Sequence, residues 1–336
     1  MKFSSVLFMS LIVLVMSTVM IMSCNNWISI WVCLELNMFM FIPIIMWNSN
    51  SYEEEGAVKY FIVQSLASAL LLFSVFYSYS LSSFHVVVMF LFLMSVFMKI
   101  GSFPFIFWYT SVMKSISWIS CMILSTWQKL GPLVVLIFYM NSFHNLFMMI
   151  SLVNVFIGGC AGCTQSDLRT LLAYSSISHM GWMMSVLSSV FKVLSMLYFI
   201  LYSVLVIPIF IIMMYTNMKS LSMLFSLNKT SSSFMVAVML LILSLSGMPP
   251  LSGFMPKLMI LSVLVSHSFL MSLLMVVFSL FSLYMYLNMF FTIFMYYYVN
   301  MEFKMNFDSL SLMSVMLSFG LVPMVMIYIY AMILFH

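Results

Sequence analysis

Four charged side chains stand inside long apolar runs: Glu35 in WVCLELNMFMF, Lys99 in VFMKIGSFPFIFW, Lys129 in STWQKLGPL and Lys257 in GMPPLSGFMPKLMIL. A carboxylic acid and three amines can take up and release protons, and hydrocarbon makes their charge expensive. A lysine at the centre of a membrane helix costs about 2.5–3.5 kcal/mol on insertion scales. A carboxylate about 7 Å away, at an effective dielectric of about 20, returns about 2.4 kcal/mol. The two energies are comparable. Gaining or losing a neighbour such as Glu35 is therefore enough, as a hypothesis, to switch a buried lysine between charged and neutral forms.

Each residue has a plainer reading. Glu35 sits too near mid-span to reach an interface and serves equally as a neutral, hydrogen-bonded structural acid. Lys129 is also near mid-span, with Pro132 one turn later marking a kink, and a structural ion pair would explain it. Lys99 would snorkel to the surface if its helix ended before Pro104, and Lys257, about seven residues from a helix end, has the same rival.

The elements that must position these residues are membrane helices. The 336-residue chain is 65% hydrophobic and 5% charged, whereas soluble proteins carry about 25% charged residues. Apolar stretches long enough to span recur from end to end, and they lack the alternation of barrel strands. The class is an all-α polytopic membrane protein with about eleven helices, the first at about 3–22, the fifth at about 117–139 and the last at about 309–335. No Gly-rich phosphate loop is present. The Cys160-Ala-Gly-Cys163 pair beside Gly158-Gly159 reads as small-residue helix packing rather than a redox or metal motif. Forty-one methionines suggest a mitochondrial genetic code.

Two segments, about 84–112 and about 234–264, are too long for one straight span and carry Gly and Pro beside a lysine. They are the fourth and ninth spans, so they cross in opposite senses. Paired interrupted helices in oppositely oriented halves point to inverted repeats, residues 1–139 (helices 1–5) and 144–298 (helices 6–10), followed by an additional helix at 309–335. Parity places Lys2, Lys59, Lys114, Arg169, Lys219, Lys229 and Lys304 on the N-terminal side and Lys192 on the other. That asymmetry puts the N-terminus on the cytosolic or matrix face.

The motifs WVCLELNM (31–38), KYFIVQSLAS (59–68), MKIGSFPFIFW (98–108), STWQKLGP (125–132), LRTLLAYSSISHMGWM (168–183) and GMPPLSGFMPK (247–257) recur along the chain from residue 31 to residue 257. In these the sequence resembles the antiporter-like membrane subunits of mitochondrial respiratory complex I, NADH:ubiquinone oxidoreductase. The resemblance implies an antiporter-like fold in the mitochondrial inner membrane, N-terminus in the matrix and C-terminus in the intermembrane space. It implies that Glu35 and Lys99 form the family's glutamate–lysine pair, that Lys129 is the central connecting lysine and that Lys257 is the lysine of the second broken helix. It makes His179 part of a hydrophilic axis, although by itself His179 reads first as a hydrogen-bonded core histidine. No cofactor is implied in this chain; FMN, iron–sulfur clusters and ubiquinone sites belong to other subunits. The implied partners are a neighbouring antiporter-like chain, the small chain 4L, the lateral helix of the distal chain, accessory subunits and a phospholipid such as cardiolipin. Nucleic acid is not among them.

Two positions depart from the family pattern: Ile106 stands where many relatives have histidine, and Thr170 where a second basic residue is common. Three other functions compete. A free-standing cation/proton antiporter would share every buried charge. A haem or copper protein needs facing histidines, but His85, His144, His267 and His336 fall at predicted span ends. A scaffold would use the charges only to bind subunits.

Overall fold

The computed structural model describes residues 5–48, 50–80, 85–139, 144–187, 189, 191–221, 232–249 and 251–299. Among these residues the chain is helical, apart from turns and one isolated bridge between Asp167 and Ser220. Among the described residues, seven helices are long and apolar enough to cross a membrane. The expected eleventh helix at 309–335 lies outside the described residues, as do Lys2, Lys229, Lys304 and His336.

The chain divides into two compact units at residues 142/143. The first holds α1 (Ser5–Ser23), α2 (Trp27–Ile45), α3 (Ser51–Ser80), α4 (His85–Ile100), α5 (Ile106–Ser115), α6 (Trp118–Ser125) and α7 (Trp127–Tyr139). In it, α2 packs on α1 and α3, α3 also packs on α4 and α5, and α7 packs on α1, α2, α4 and α6. The turn between α2 and α3 is fastened by Glu53. Its buried carboxylate accepts hydrogen bonds from the Asn48 backbone N–H (3.0 Å) and side-chain amide (3.1 Å).

The second unit holds α8 (His144–Cys163), α9 (Leu168–Val186), α10 (Val193–Thr216), α11 (Ser232–Ser246), α12 (Phe254–His267) and α13 (Phe269–Val299). Here α9 packs on α8, α10 and α12, α10 also packs on α11 and α12, and α13 packs on α8, α9, α11 and α12. Most pairings of the first unit recur in the second, with α1–α5 answered by α8–α12 and α7 by α13, while α12 packs on α9 and α13 more closely than α5 does on α2 and α7. In each unit the fourth segment is interrupted, at 101–105 and at 247–253. These are the two broken helices expected at 84–112 and 234–264.

The fifth segment departs from expectation. A kink was expected at Pro132, yet α7 runs through that proline and the break falls at Thr126, where φ is −110° and ψ −75°. Pro132 lies in the second turn of α7, where it removes the intrahelical donor for the Gln128 carbonyl, and Gly131 before it has no Cβ to crowd the ring. The Thr126 hydroxyl completes the break by donating to the Met122 carbonyl at 2.7 Å.

Glycines set the closest packing. A Cβ at Gly158 on α8 would come within 2.7 Å of the Ser178 backbone nitrogen and 2.8 Å of the Tyr174 carbonyl on α9. Gly181 on α9 faces Val155 and the Ser151 carbonyl with the same tightness, while Gly159 and Gly162 meet Phe281 and Met285 of α13. The Gly158–Cys163 stretch is therefore small-residue packing, as its composition suggests. Because backbone atoms oppose Gly158, Gly158→Ala should destabilise the second unit by about 1–3 kcal/mol. The check is thermal loss of the detergent-solubilised protein, and an unchanged midpoint would contradict this packing.

Candidate functional site

In the first unit Lys99 and Lys129 meet around one cavity lined also by, among others, Asn37, Tyr60, Gln64 and Tyr109, with room and polar groups enough for water. Lys99 comes from the last turn of α4 and Lys129 from the first turn of α7. Helix α4 does end just after Lys99, yet the side chain does not snorkel: it is 6% exposed and turned into the cavity, and Lys129 is 2% exposed.

The interruption after Lys99 follows from Gly101, whose φ of +76° suits glycine, and from Pro104, which offers no N–H. A continuous helix would satisfy the Lys99 carbonyl internally. Here it accepts instead from the Gln64 side-chain amide of α3 at 3.2 Å. Gly101 also lets α5 approach, since a Cβ there would lie 2.7 Å from the Tyr109 Cβ. Tyr109 thereby presents its ring to Lys129, whose Nζ is 4.5 Å from the ring centroid.

A polar chain ties three helices beside the lysines. The Tyr60 hydroxyl (α3) donates to Gln128 Oε1 (α7) at 3.3 Å, and Gln128 Nε2 donates to Asn37 Oδ1 (α2) at 3.1 Å. Tyr60 and Gln64 are one helical turn apart and share a face of α3.

Glu35, on α2, is close enough to act electrostatically on Lys99 and Tyr60. The expected glutamate–lysine pair is not a contact ion pair, however, since the two groups are not within 4.0 Å. Moreover, Glu35 Oε2 is buried without a hydrogen-bond partner.

The second unit holds Lys257 and His179. Lys257, in the first turn of α12, is 7% exposed and does not snorkel; its Nζ donates to the Ser246 carbonyl at the end of α11, at 2.7 Å. His179 lies on α9, of which nearly every residue is buried. Its Nδ1 is 2.8 Å from the Tyr198 hydroxyl of α10, and its ring lies 4.8 Å from that of Tyr202. This is the hydrogen-bonded core histidine of the plainer reading, with a partner that can also pass a proton. Ile106 and Thr170 are both buried, at the starts of α5 and α9, and the Thr170 hydroxyl donates to the Asp167 carbonyl at 2.9 Å. The position of Thr170 is therefore inside the unit rather than on its surface. His267 ends α12, while His85 and His144 begin α4 and α8, as expected of span-end histidines.

Sequence reading singled out ionisable groups and passed over Asn37, Tyr60, Gln64, Tyr109 and Gln128. The available signal was an amide or phenol within an apolar span, beside a lysine or one turn from another such group.

Tyr109→Leu should remove the ring face from Lys129 and about 2 kcal/mol of charge stabilisation, whereas Tyr109→Phe should retain it. The thermal stability of the detergent-solubilised protein should fall in the first and stay near normal in the second. An equal fall in both would mean that the hydroxyl, not the ring, matters.

Comparison with known proteins places these features. The family model described as NADH:quinone oxidoreductase/Mrp antiporter, TM, matches residues 24–282. NADH-ubiquinone oxidoreductase chain 2 of Lumbricus terrestris is 44% identical over 269 residues, 78% of this chain and 79% of that protein. The protein of the same name in Anopheles gambiae is 35% identical over 264 residues, 76% of each chain. Among solved structures, a chain of respiratory complex I from Thermus thermophilus with bound aureothin superposes with a TM-score of 0.84 at 20% identity, covering 96% of this chain and 78% of that one. The Mrp complex from Dietzia gives 0.71 at 17% identity, covering 80% and 57%. The chain belongs to the NADH:quinone oxidoreductase/Mrp antiporter transmembrane family and, within it, to the chain 2 membrane subunits of respiratory complex I.

Proposed function

We propose that this subunit moves protons as part of complex I while NADH is oxidised and ubiquinone reduced elsewhere in the assembly. The observation that carries the proposal is the cavity shared by buried Lys99 and Lys129, with the carboxylate of Glu35 within electrostatic reach. Water in that cavity would connect the two amines, and Glu35 would favour the charged form of Lys99 when it is itself ionised. Within the second unit, Lys257 and His179 are the groups that would carry protons. Residues 1–139 and 144–298 are the two inverted repeats; the recurrence of helix pairings and the interruption of the fourth segment in each support this. The charge asymmetry of the loops supports a matrix-facing N-terminus and a C-terminus in the intermembrane space of the mitochondrial inner membrane.

The partners are other complex I subunits. Within that group the reading names the neighbouring antiporter-like chain, chain 4L, the distal chain's lateral helix and accessory subunits, with cardiolipin on the lipid-facing surface. FMN, iron–sulfur clusters and the ubiquinone site belong to those other subunits, and this chain supplies proton-transfer groups alone.

Lys129→Met or Glu35→Gln in the assembled complex should lower the proton-to-electron ratio or coupled turnover. Wild-type coupled pumping in both variants would overturn the assignment. The likeness in fold to the Mrp complex favours one rival, a cation/proton antiporter working alone. A native gel of the tagged chain stained for NADH dehydrogenase activity decides between them. Comigration with the active high-mass band supports the complex I role, and a small species exchanging cations in vesicles supports the antiporter.

A further inference from the structure

The interruption at 247–253 leaves one backbone carbonyl in a special position. In a continuing helix the Ser246 carbonyl would accept from the N–H of residue 250, or from residue 249 in a tighter turn. Both residues are proline, which by its covalent structure has no N–H. The acceptor is thus emptied by sequence, and the Lys257 ammonium takes it at 2.7 Å. Gly247 makes the approach possible. Its φ is +76°, and a Cβ there would lie 2.8 Å from Lys257 Nζ and 3.0 Å from both Cδ and Cε. Gly253 brings the two helix ends together, for a Cβ on it would fall within 2 Å of the Ser244 carbonyl oxygen.

We propose that this interruption is a built seat for the Lys257 ammonium, in which the α11 C-terminus serves as counter-charge and Gly247 and Pro249 act as positioning residues. The C-terminal end of a helix carries partial negative charge, and an ammonium placed on its last carbonyls is stabilised by the aligned peptide dipoles. The seat does for Lys257 what Glu35 does for Lys99, using backbone in place of a carboxylate. A carbonyl cannot be titrated, so the seat holds its charge whatever the protonation of neighbouring side chains, and any proton handed on from Lys257 must leave against a fixed field.

This inference rests on the reading of Lys257 as a proton carrier, and the experiment separates the two. In the assembled complex, Pro249→Ala restores an N–H that competes for the Ser246 carbonyl, and Gly247→Ala fills the space the ammonium occupies. Both should lower the proton-to-electron ratio toward that of Lys257→Met while NADH oxidation with an uncoupler continues. Met248→Leu, which leaves both the N–H count and the glycine unchanged, should pump normally. Added to Lys257→Met, neither Pro249→Ala nor Gly247→Ala should cause further loss, because both act through the lysine; independent structural damage would add. If Gly247→Ala prevents assembly, the Pro249→Ala arm carries the test. Normal pumping by Lys257→Met would overturn the proton-carrier reading itself. A defective Lys257→Met beside a normal Pro249→Ala, or losses that add in the double variants, would overturn the seat alone.

Discussion

A charged amine buried among apolar helices must have something nearby that favours its charge, and the rest of this structure is arranged around meeting that need three times. Lys99 has the carboxylate of Glu35 within electrostatic reach. Lys129 lies over the face of Tyr109. Lys257 sits on the end of α11. A carboxylate, an aromatic quadrupole and a helix terminus differ in strength and in whether they titrate, which gives the three lysines different surroundings within one chain. Proposed roles in proton movement draw on that difference.

Interrupted helices supply the polar backbone that makes this workable. In lipid an irregular segment is tolerated only where its freed groups find partners inside the protein. Both interruptions obey that rule with side chains: the Lys99 carbonyl is taken by Gln64 and the Ser246 carbonyl by Lys257. Glycine at positive φ opens each break, at Gly101 and Gly247, and in each case a neighbouring side chain fills the room that the missing Cβ leaves. The breaks are therefore positioning devices as much as breaks.

Tight packing holds these devices still. Glycines on facing helices bring α8 and α9 to backbone contact, and α9 is left almost wholly enclosed although its sequence is rich in serine. Its hydroxyls satisfy themselves locally: Ser175, Ser176, Ser178 and Ser185 each donate to the carbonyl three residues earlier. A helix too polar to count as a lipid-facing span thus becomes the interior of its unit and carries His179.

The amino-acid sequence alone determined the class of this protein, because apolar length and scarcity of charge leave helices as the only economical way to cross a bilayer. It also determined where the fourth segments break, since Gly and Pro act through covalent geometry, and which ionisable groups were held in apolar surroundings. Tertiary structure decided the rest. The break in the fifth segment falls at Thr126 rather than at Pro132, and α7 runs through that proline although it gives up one intrahelical hydrogen bond there. Snorkelling by Lys99 and Lys257 was a fair expectation from distance along the chain, but side-chain direction depends on what the neighbouring helices offer, and here they offer a cavity and an empty carbonyl. The amides and phenols around Lys99 and Lys129 come from α2, α3, α5 and α7, and no spacing along the chain encodes their meeting. Hydrogen bonds and ring contacts between helices are fixed by packing in three dimensions, where residues as far apart as Asn37 and Gln128 become neighbours.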